Sequence, residues 1–223
     1  MDDRSRGTLI GLAIGDALGA AIEFSSPGTF TPVTGFRGGG PFNLEPGQWT
    51  DDTSMALALA DSISSVGWDL DDQASRYVEW WQTGKYSVNG RCFDIGSTTQ
   101  SALQKFLETK DGRTSGSTSE LSSGNGSIMR LAPVPMRYAQ LFTRDLAEFS
   151  RLAEESSLPT HASEQCRSAC RYLAAVLAAL IQGADRDEVL SVNWKPLRYL
   201  NEIKPLDTKL QNVAQGSDPL PEN

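Results

Sequence analysis

The sequence predicts an all-α fold, and three observations carry that reading. No run of alternating β-branched residues occurs anywhere in its 223 residues. Apolar segments recur at helical spacing, the longest from Ala162 to Gln182. Residues suited to capping, among them Ser5, Thr50, Asp69, Thr143 and Asp185, stand ahead of such segments. A hydrophobic content of 39% and a charged content of 22% are ordinary for a globular chain. One domain spanning 1–223 is the expectation for this length.

Ser5 is placed to cap a first helix that runs through Leu9 to Ala21. Glycines at 7, 11, 15 and 19 recur every four residues and so fall near one face. Each costs roughly 1 kcal/mol relative to Ala in a helix interior, so the stripe predicts close approach of another helix or a ligand. Asp16 is the lone charge in this apolar stretch. It fits either a hydrogen-bonded core carboxylate or a support just outside a metal's ligand set. Residues 25–49 are rich in Gly and Pro and predict a long loop, a class that often carries function.

That loop delivers Thr50-Asp51-Asp52-Thr53 to the head of a helix expected to reach Ser65. One carboxylate there suffices to cap and to favour the helix dipole. A second adjacent one adds repulsion unless a cation shares it, and hard divalent ions take such oxygens. The plain cap and the metal site both stay open on the residues alone. Asp69 begins a third helix, Leu70 to Gln82, and Gly90 to Thr99 forms a turn into a helix from Gln100 to Glu108. The Ser/Gly/Thr-rich residues 111–127 begin as a flexible linker. They end in Gly124-Asn125-Gly126-Ser127, which leads into Ile128-Met129-Arg130 and suits a phosphate if it enters a helix. Thr143 is expected to cap a helix reaching Glu155, and Asp185 a short one. Beyond Trp194 the periodicity fades, and 205–223 reads as loop.

A net charge of −8 argues against a nucleic-acid backbone or an anionic membrane as partner, though not against a small anion met by local donors. The three cysteines, Cys92, Cys166 and Cys170, lack metal-finger spacing. No signal-like N-terminus and no bilayer-length apolar run occur, so the expected location is cytoplasmic.

Taken in order, the motifs are Gly11 to Gly19 with Asp16, then Glu23, Thr50-Asp51-Asp52-Thr53, Asp94-Ile95-Gly96, Gly124 to Arg130, and Thr160-His161. This set resembles the ADP-ribosylglycohydrolase family, in particular its bacterial branch similar to dinitrogenase reductase-activating glycohydrolase, from about Arg6 to Gln182. The resemblance implies an orthogonal multi-helix bundle with a binuclear Mg2+ or Mn2+ centre that removes ADP-ribose from modified side chains, arginine foremost. It assigns Thr50, Asp51 and Asp52 to the metals, with Asp16 behind them, and Asp94 and Glu23 to catalysis. Gly124, Asn125, Gly126, Ser127, Met129, Arg130 and His161 are assigned to ADP-ribose. Physical chemistry agrees with the assignment, because ribosyl C–N cleavage builds positive charge on the sugar that carboxylates and bound metals stabilise.

One departure stands out. The family pattern has a second acidic motif toward its C-terminus, and Pro205-Leu206-Asp207-Thr208 is a poor substitute for it. The sequence therefore reads as lacking the last helical section. A catalytically inactive ADP-ribose-binding protein, or one half of a split enzyme completed by a C-terminal fragment, is the alternative reading.

Overall fold

A computed structural model describes residues 2–217 and contains ten α-helices among them, with no strand, only isolated bridges. Residues 218–223 of the loop expected at 205–223 lie outside the described residues.

Helix α1 (Asp3–Gly19) is capped by Asp2, whose carboxylate accepts from the Ser5 amide at 2.8 Å. Ser5 itself is buried within the helix, which corrects the expected cap by one turn. The glycine stripe also departs from expectation. A Cβ added at Gly7, Gly11, Gly15 or Gly19 would meet nothing within 4 Å, so that face of α1 is bare among the described residues. The close approach occurs instead at the other end of the loop. Gly40, at φ +68°, lies so near the end of α1 that a Cβ there would stand 2.8 Å from the Ala20 carbonyl.

Helices α2 (Asp51–Val66) and α3 (Leu70–Thr83) pair, and Asp69 caps α3 as expected. Helix α4 is Ser97–Thr109. The helix anticipated from Thr143 to Glu155 is α6 (Leu146–Glu155), capped at Asp145 and not at Thr143, and a further helix that the sequence reading did not name precedes it. Helix α5 (Pro133–Arg144) ends where Asp145 caps α6, because the Asp145 carboxylate takes the Glu148 amide and turns the chain. Helix α7 (Glu164–Ile181), capped by Ser163, packs on both. The core is the contact of α2, α3, α5, α6 and α7, with Met55, Leu59, Trp80, Phe149 and Cys170 buried in it.

Two segments taken as loop or linker are ordered by packing. Residues 111–119 lie against the 157–162 turn, where the Gly116 amide donates to the Leu158 carbonyl at 3.0 Å and Ala162 donates to Ser117 at 2.7 Å. After the short α8 (Arg186–Val189), capped by Asp185, come α9 (Lys195–Ile203) and α10 (Thr208–Ala214). Helix α10 contradicts the loop assigned to 205–223 over residues 208–214. Leu197, Leu200 and Leu206 are buried, and Asp207 caps α10. Buried Arg171 of α7 fastens this end, donating to the carbonyls of Lys204 (2.8 Å) and Pro205 (2.9 Å). A guanidinium so buried needs such partners to offset its lost hydration. No helix among the described residues is long and apolar enough to cross a membrane.

Candidate active site

The head of α2 is built around a carboxylate from another helix. Asp16 of α1 accepts from the Thr50 amide (2.9 Å) and hydroxyl (2.8 Å) and from the Thr53 amide (3.0 Å) and hydroxyl (2.6 Å). Thr50 occupies the N-cap position but makes no side-chain cap bond, since its hydroxyl serves Asp16. The orphan amides of a first helical turn are thus satisfied in trans. Asp51 and Asp52 are thereby released from capping, and both carboxylates line a cleft of about 510 Å³.

Glu23 and Asp94 line the same cleft. Glu23 follows α1, and Asp94 sits in the loop before α4 at φ +59°. The aromatic anchors of that loop hold it in place. The Trp49 indole N–H donates to the Tyr86 carbonyl at 3.3 Å, and the Tyr86 hydroxyl donates to Asp61 of α2 at 2.6 Å. Four carboxylates facing one space cannot all ionise freely. Burial, followed by the charges of Asp52, Asp94 and Glu23, pushes Asp51 up to about 9. Burial, with Asp16 and Glu23, raises Asp52 to about 6. Asp94 is raised by burial and by the adjacent Glu23 carboxylate. The Cys92 thiol is pushed up to about 11 by burial and by Asp51.

The opposite wall is neutral and rich in donors. Gly124, Asn125, Gly126, Met129 and His161 line it, together with Ser97, Thr98 and Thr99 of the first turn of α4. Among the described residues the amides of 124–127 find no acceptor. Gly96 leaves α4 without a side-chain cap, so its first-turn amides are open as well. Such convergent N–H groups suit an anion. Burial and the nearby Arg130 charge hold His161 down to about 4, so the ring is neutral at physiological pH. Its Nδ1 lies 2.9 Å from the Thr160 hydroxyl.

Three of the sequence assignments, Thr50, Ser127 and Arg130, do not line the cleft. Arg130 is fully buried beneath the loop, stacked 4.5 Å over the Tyr77 ring and donating to the carbonyls of Gly126 (2.6 Å) and Ser156 (3.2 Å). It is a strut for the loop and has no path to a ligand. The Ser127 side chain is buried too, and only its amide remains available. The segment also enters turns, and α5 begins only at Pro133, so no helix N-terminus lies directly behind the Gly-Asn-Gly. Conversely, the sequence reading passed over Phe24, Phe42 and the head of α4. The run Gly96-Ser97-Thr98-Thr99, a helix entry with hydroxyls but no strong cap, was the available signal for the last of these.

Gly126 has no room for a side chain, because a Cβ would stand 2.5 Å from His161 Cε1 and 3.3 Å from the Thr99 hydroxyl. If the cleft holds the ADP-ribose that the sequence resemblance implies, Gly126→Ala should displace the imidazole and lower that affinity at least about tenfold, a loss of ~1.4 kcal/mol. Calorimetry beside an unchanged far-UV spectrum checks this.

The same residues suit a divalent metal better in chemistry than in geometry. Asp94 Oδ2 is buried with no hydrogen-bond partner, and the crowded carboxylates form a hard-oxygen donor set with no cation among them. The chemistry fits Mg2+ or Mn2+. The geometry is looser: among the described residues no three acidic, His or Cys groups converge as ligands. The Thr50 hydroxyl, expected as a ligand, is engaged by Asp16.

The family model for ADP-ribosylglycohydrolase matches residues 1–223. Similar curated proteins include the ADP-ribosylarginine hydrolase Tri1 of Serratia proteamaculans, 41% identical over 87% of this chain and 52% of its own. The Tri1 of Pseudomonas putida is 43% identical over 88% and 52%. The ADP-ribosyl-[dinitrogen reductase] glycohydrolase of Rhodospirillum rubrum is 36% identical over 60% and 44%. The chain thus spans about half the length of these relatives. A solved structure described as an ADP-ribosylglycohydrolase-related protein complex shares the fold, with a TM-score of 0.78 at 35% identity over 95% of this chain and 66% of that one. With a matching fold and a family match along its whole length, this chain belongs to the ADP-ribosylglycohydrolase family.

Proposed function

We propose that the cleft binds ADP-ribose joined to an arginine side chain and hydrolyses the ribosyl–guanidine bond. The observation that carries this reading is the polarity of the cleft. Glu23, Asp51, Asp52 and Asp94 form one wall, and unpaired amides with a neutral His161 form the other. An ADP-ribosyl-arginine has the matching polarity, a diphosphate at one end and a guanidinium at the other. The names of the Tri1 relatives support arginine as the linkage.

In this reading the amides of 124–127 and the first turn of α4 hold the diphosphate. Carboxylates beside the ribose stabilise the positive charge that grows on it as the C–N bond breaks. Asp94, kept protonated toward neutral pH by burial and Glu23, donates a proton to the departing guanidine, and Glu23 draws one from the attacking water. Asp51 and Asp52 would hold Mg2+ or Mn2+, an ion that supplies Lewis-acid orientation of the ribose hydroxyls. The free thiols Cys92, Cys166 and Cys170 are in keeping with a cytoplasmic setting.

Two observations favour a second reading, in which this chain binds ADP-ribose and does not hydrolyse it. The carboxylates do not converge as a full ligand set, and α1 leaves its glycine face bare. Both readings are tested by ADP-ribose release from an ADP-ribosylated arginine substrate with Mg2+ or Mn2+. The assay is run on residues 1–223 alone and with the C-terminal half of a Tri1 relative added. The expected result is little turnover alone and turnover on completion, with Asp94→Asn lowering the rate at least about a hundredfold. ADP-ribose binding without turnover in either case favours the second reading, and absence of ADP-ribose binding overturns both.

A further inference from the structure

The acidic wall of the cleft has aromatic neighbours that the family reading does not employ. Glu23 is followed by Phe24, Asp94 is preceded by Phe93, and Phe42 bridges the two rings. The centroids of Phe24 and Phe42 are 6.3 Å apart at 71°, and those of Phe42 and Phe93 are 5.3 Å apart at 53°. Phe24 and Phe42 line the cleft beside all four carboxylates. Phe24 is 79% exposed and stands at φ +61°, a conformation a bulky side chain avoids unless its surroundings impose it. A large ring held out to solvent in a disfavoured backbone is poor packing and good presentation.

We propose that Phe24 and Phe42, backed by Phe93, form an aromatic clamp for the guanidinium half of the substrate and select a planar cationic acceptor over a neutral one. A guanidinium is weakly hydrated, stacks on aromatic faces and donates in plane to carboxylates. Here the face and the carboxylates are consecutive residues, Glu23-Phe24 and Phe93-Asp94, so one group can engage both at once. Among the described residues no Lys or Arg lines this cleft to compete for them. The other ring-shaped occupant, the adenine, is disfavoured by charge. An adenine on Phe24 would bring the diphosphate back toward Glu23, Asp51, Asp52 and Asp94. The clamp rests on the arginine-linked reading of the cleft but can be tested apart from it.

The test uses the full chain with Mg2+ and measures binding of agmatine, as guanidinium probe, and of ADP-ribose by calorimetry. In Phe24→Ala the agmatine Kd should rise at least fivefold while the ADP-ribose Kd stays within twofold. Phe24→Tyr should restore agmatine binding, which general loosening of the loop would not do. Because Phe24 is exposed, neither change threatens the fold. Wild-type binding of ADP-ribose without agmatine, or agmatine binding indifferent to Phe24→Ala, overturns the clamp and leaves the proposed function standing. Equal weakening of both probes overturns it in favour of an adenine platform. Agmatine binding that depends on Phe24 in a protein that ignores ADP-ribose sustains the clamp and overturns the proposed function.

Discussion

Replacing Asp16 by alanine should destabilise the protein by about 3 kcal/mol, since hydrogen bonds to a charged acceptor are worth roughly 1.5–3 kcal/mol each and are not additive. The carboxylate accepts from the amides and hydroxyls of both Thr50 and Thr53 at the head of α2. Without it those amides lose their partner, and no other side chain caps the helix. Asp16→Asn keeps one acceptor oxygen and should cost less than half as much. Urea denaturation followed by circular dichroism gives both values. An Asp16→Ala protein as stable as the parent would show that water caps α2 equally well.

In the presence of a chelator, stability should fall as pH rises from 5 to 8. Asp51 and Asp52 have folded-state values raised to about 9 and about 6, against an ordinary carboxylate near 3.9. The folded protein therefore binds more protons than the unfolded chain, and its stability falls as these groups ionise. The contribution is fully present below pH 4. It is lost in two stages, as pH passes through the value of Asp52 and then toward that of Asp51. The loss between pH 5 and 8 is on the order of 5 kcal/mol, or about 10–20 °C in Tm for a chain of this size. Mg2+ or Mn2+ should abolish most of that slope by neutralising the cluster. Asp51→Asn should raise Tm at pH 8 in chelator and remove most of the response to the metal. A parent Tm flat between pH 5 and 8 without metal would mean the carboxylates are better hydrated than the cleft suggests.

Helices with a strong cap and a long apolar period were legible in the sequence. Asp69, Asp185 and the span of α7 were identified to within a residue or two. The start of α6 was placed at Thr143, two residues before its cap Asp145, and α5 ahead of it was not identified. Helices α9 and α10 escaped because they are short and bury few residues apiece, and their order comes from Arg171 on a distant helix. The site divides in the same way. The Asp51-Asp52 pair announced itself by type and spacing, Glu23, Asp94 and His161 entered through the family resemblance, and all five line one cleft. No sequence pattern tells which way a side chain turns at a given position. The Thr50 hydroxyl faces Asp16 and Arg130 lies inward against Tyr77, choices made by partners far along the chain.

The bare glycine face of α1 bears on how the cleft moves. Glycine leaves a helix backbone with more freedom to lose, so α1 is intrinsically weak. The same helix supplies the carboxylate that organises the head of α2. Fluctuations that fray α1 while leaving the buried core intact would release Thr50 and Thr53 and blur the positions of Asp51 and Asp52. The site can thus dissolve and reform by local opening, at a free energy well below that of global unfolding. Whatever covers that glycine face would set how long the acidic wall stays assembled.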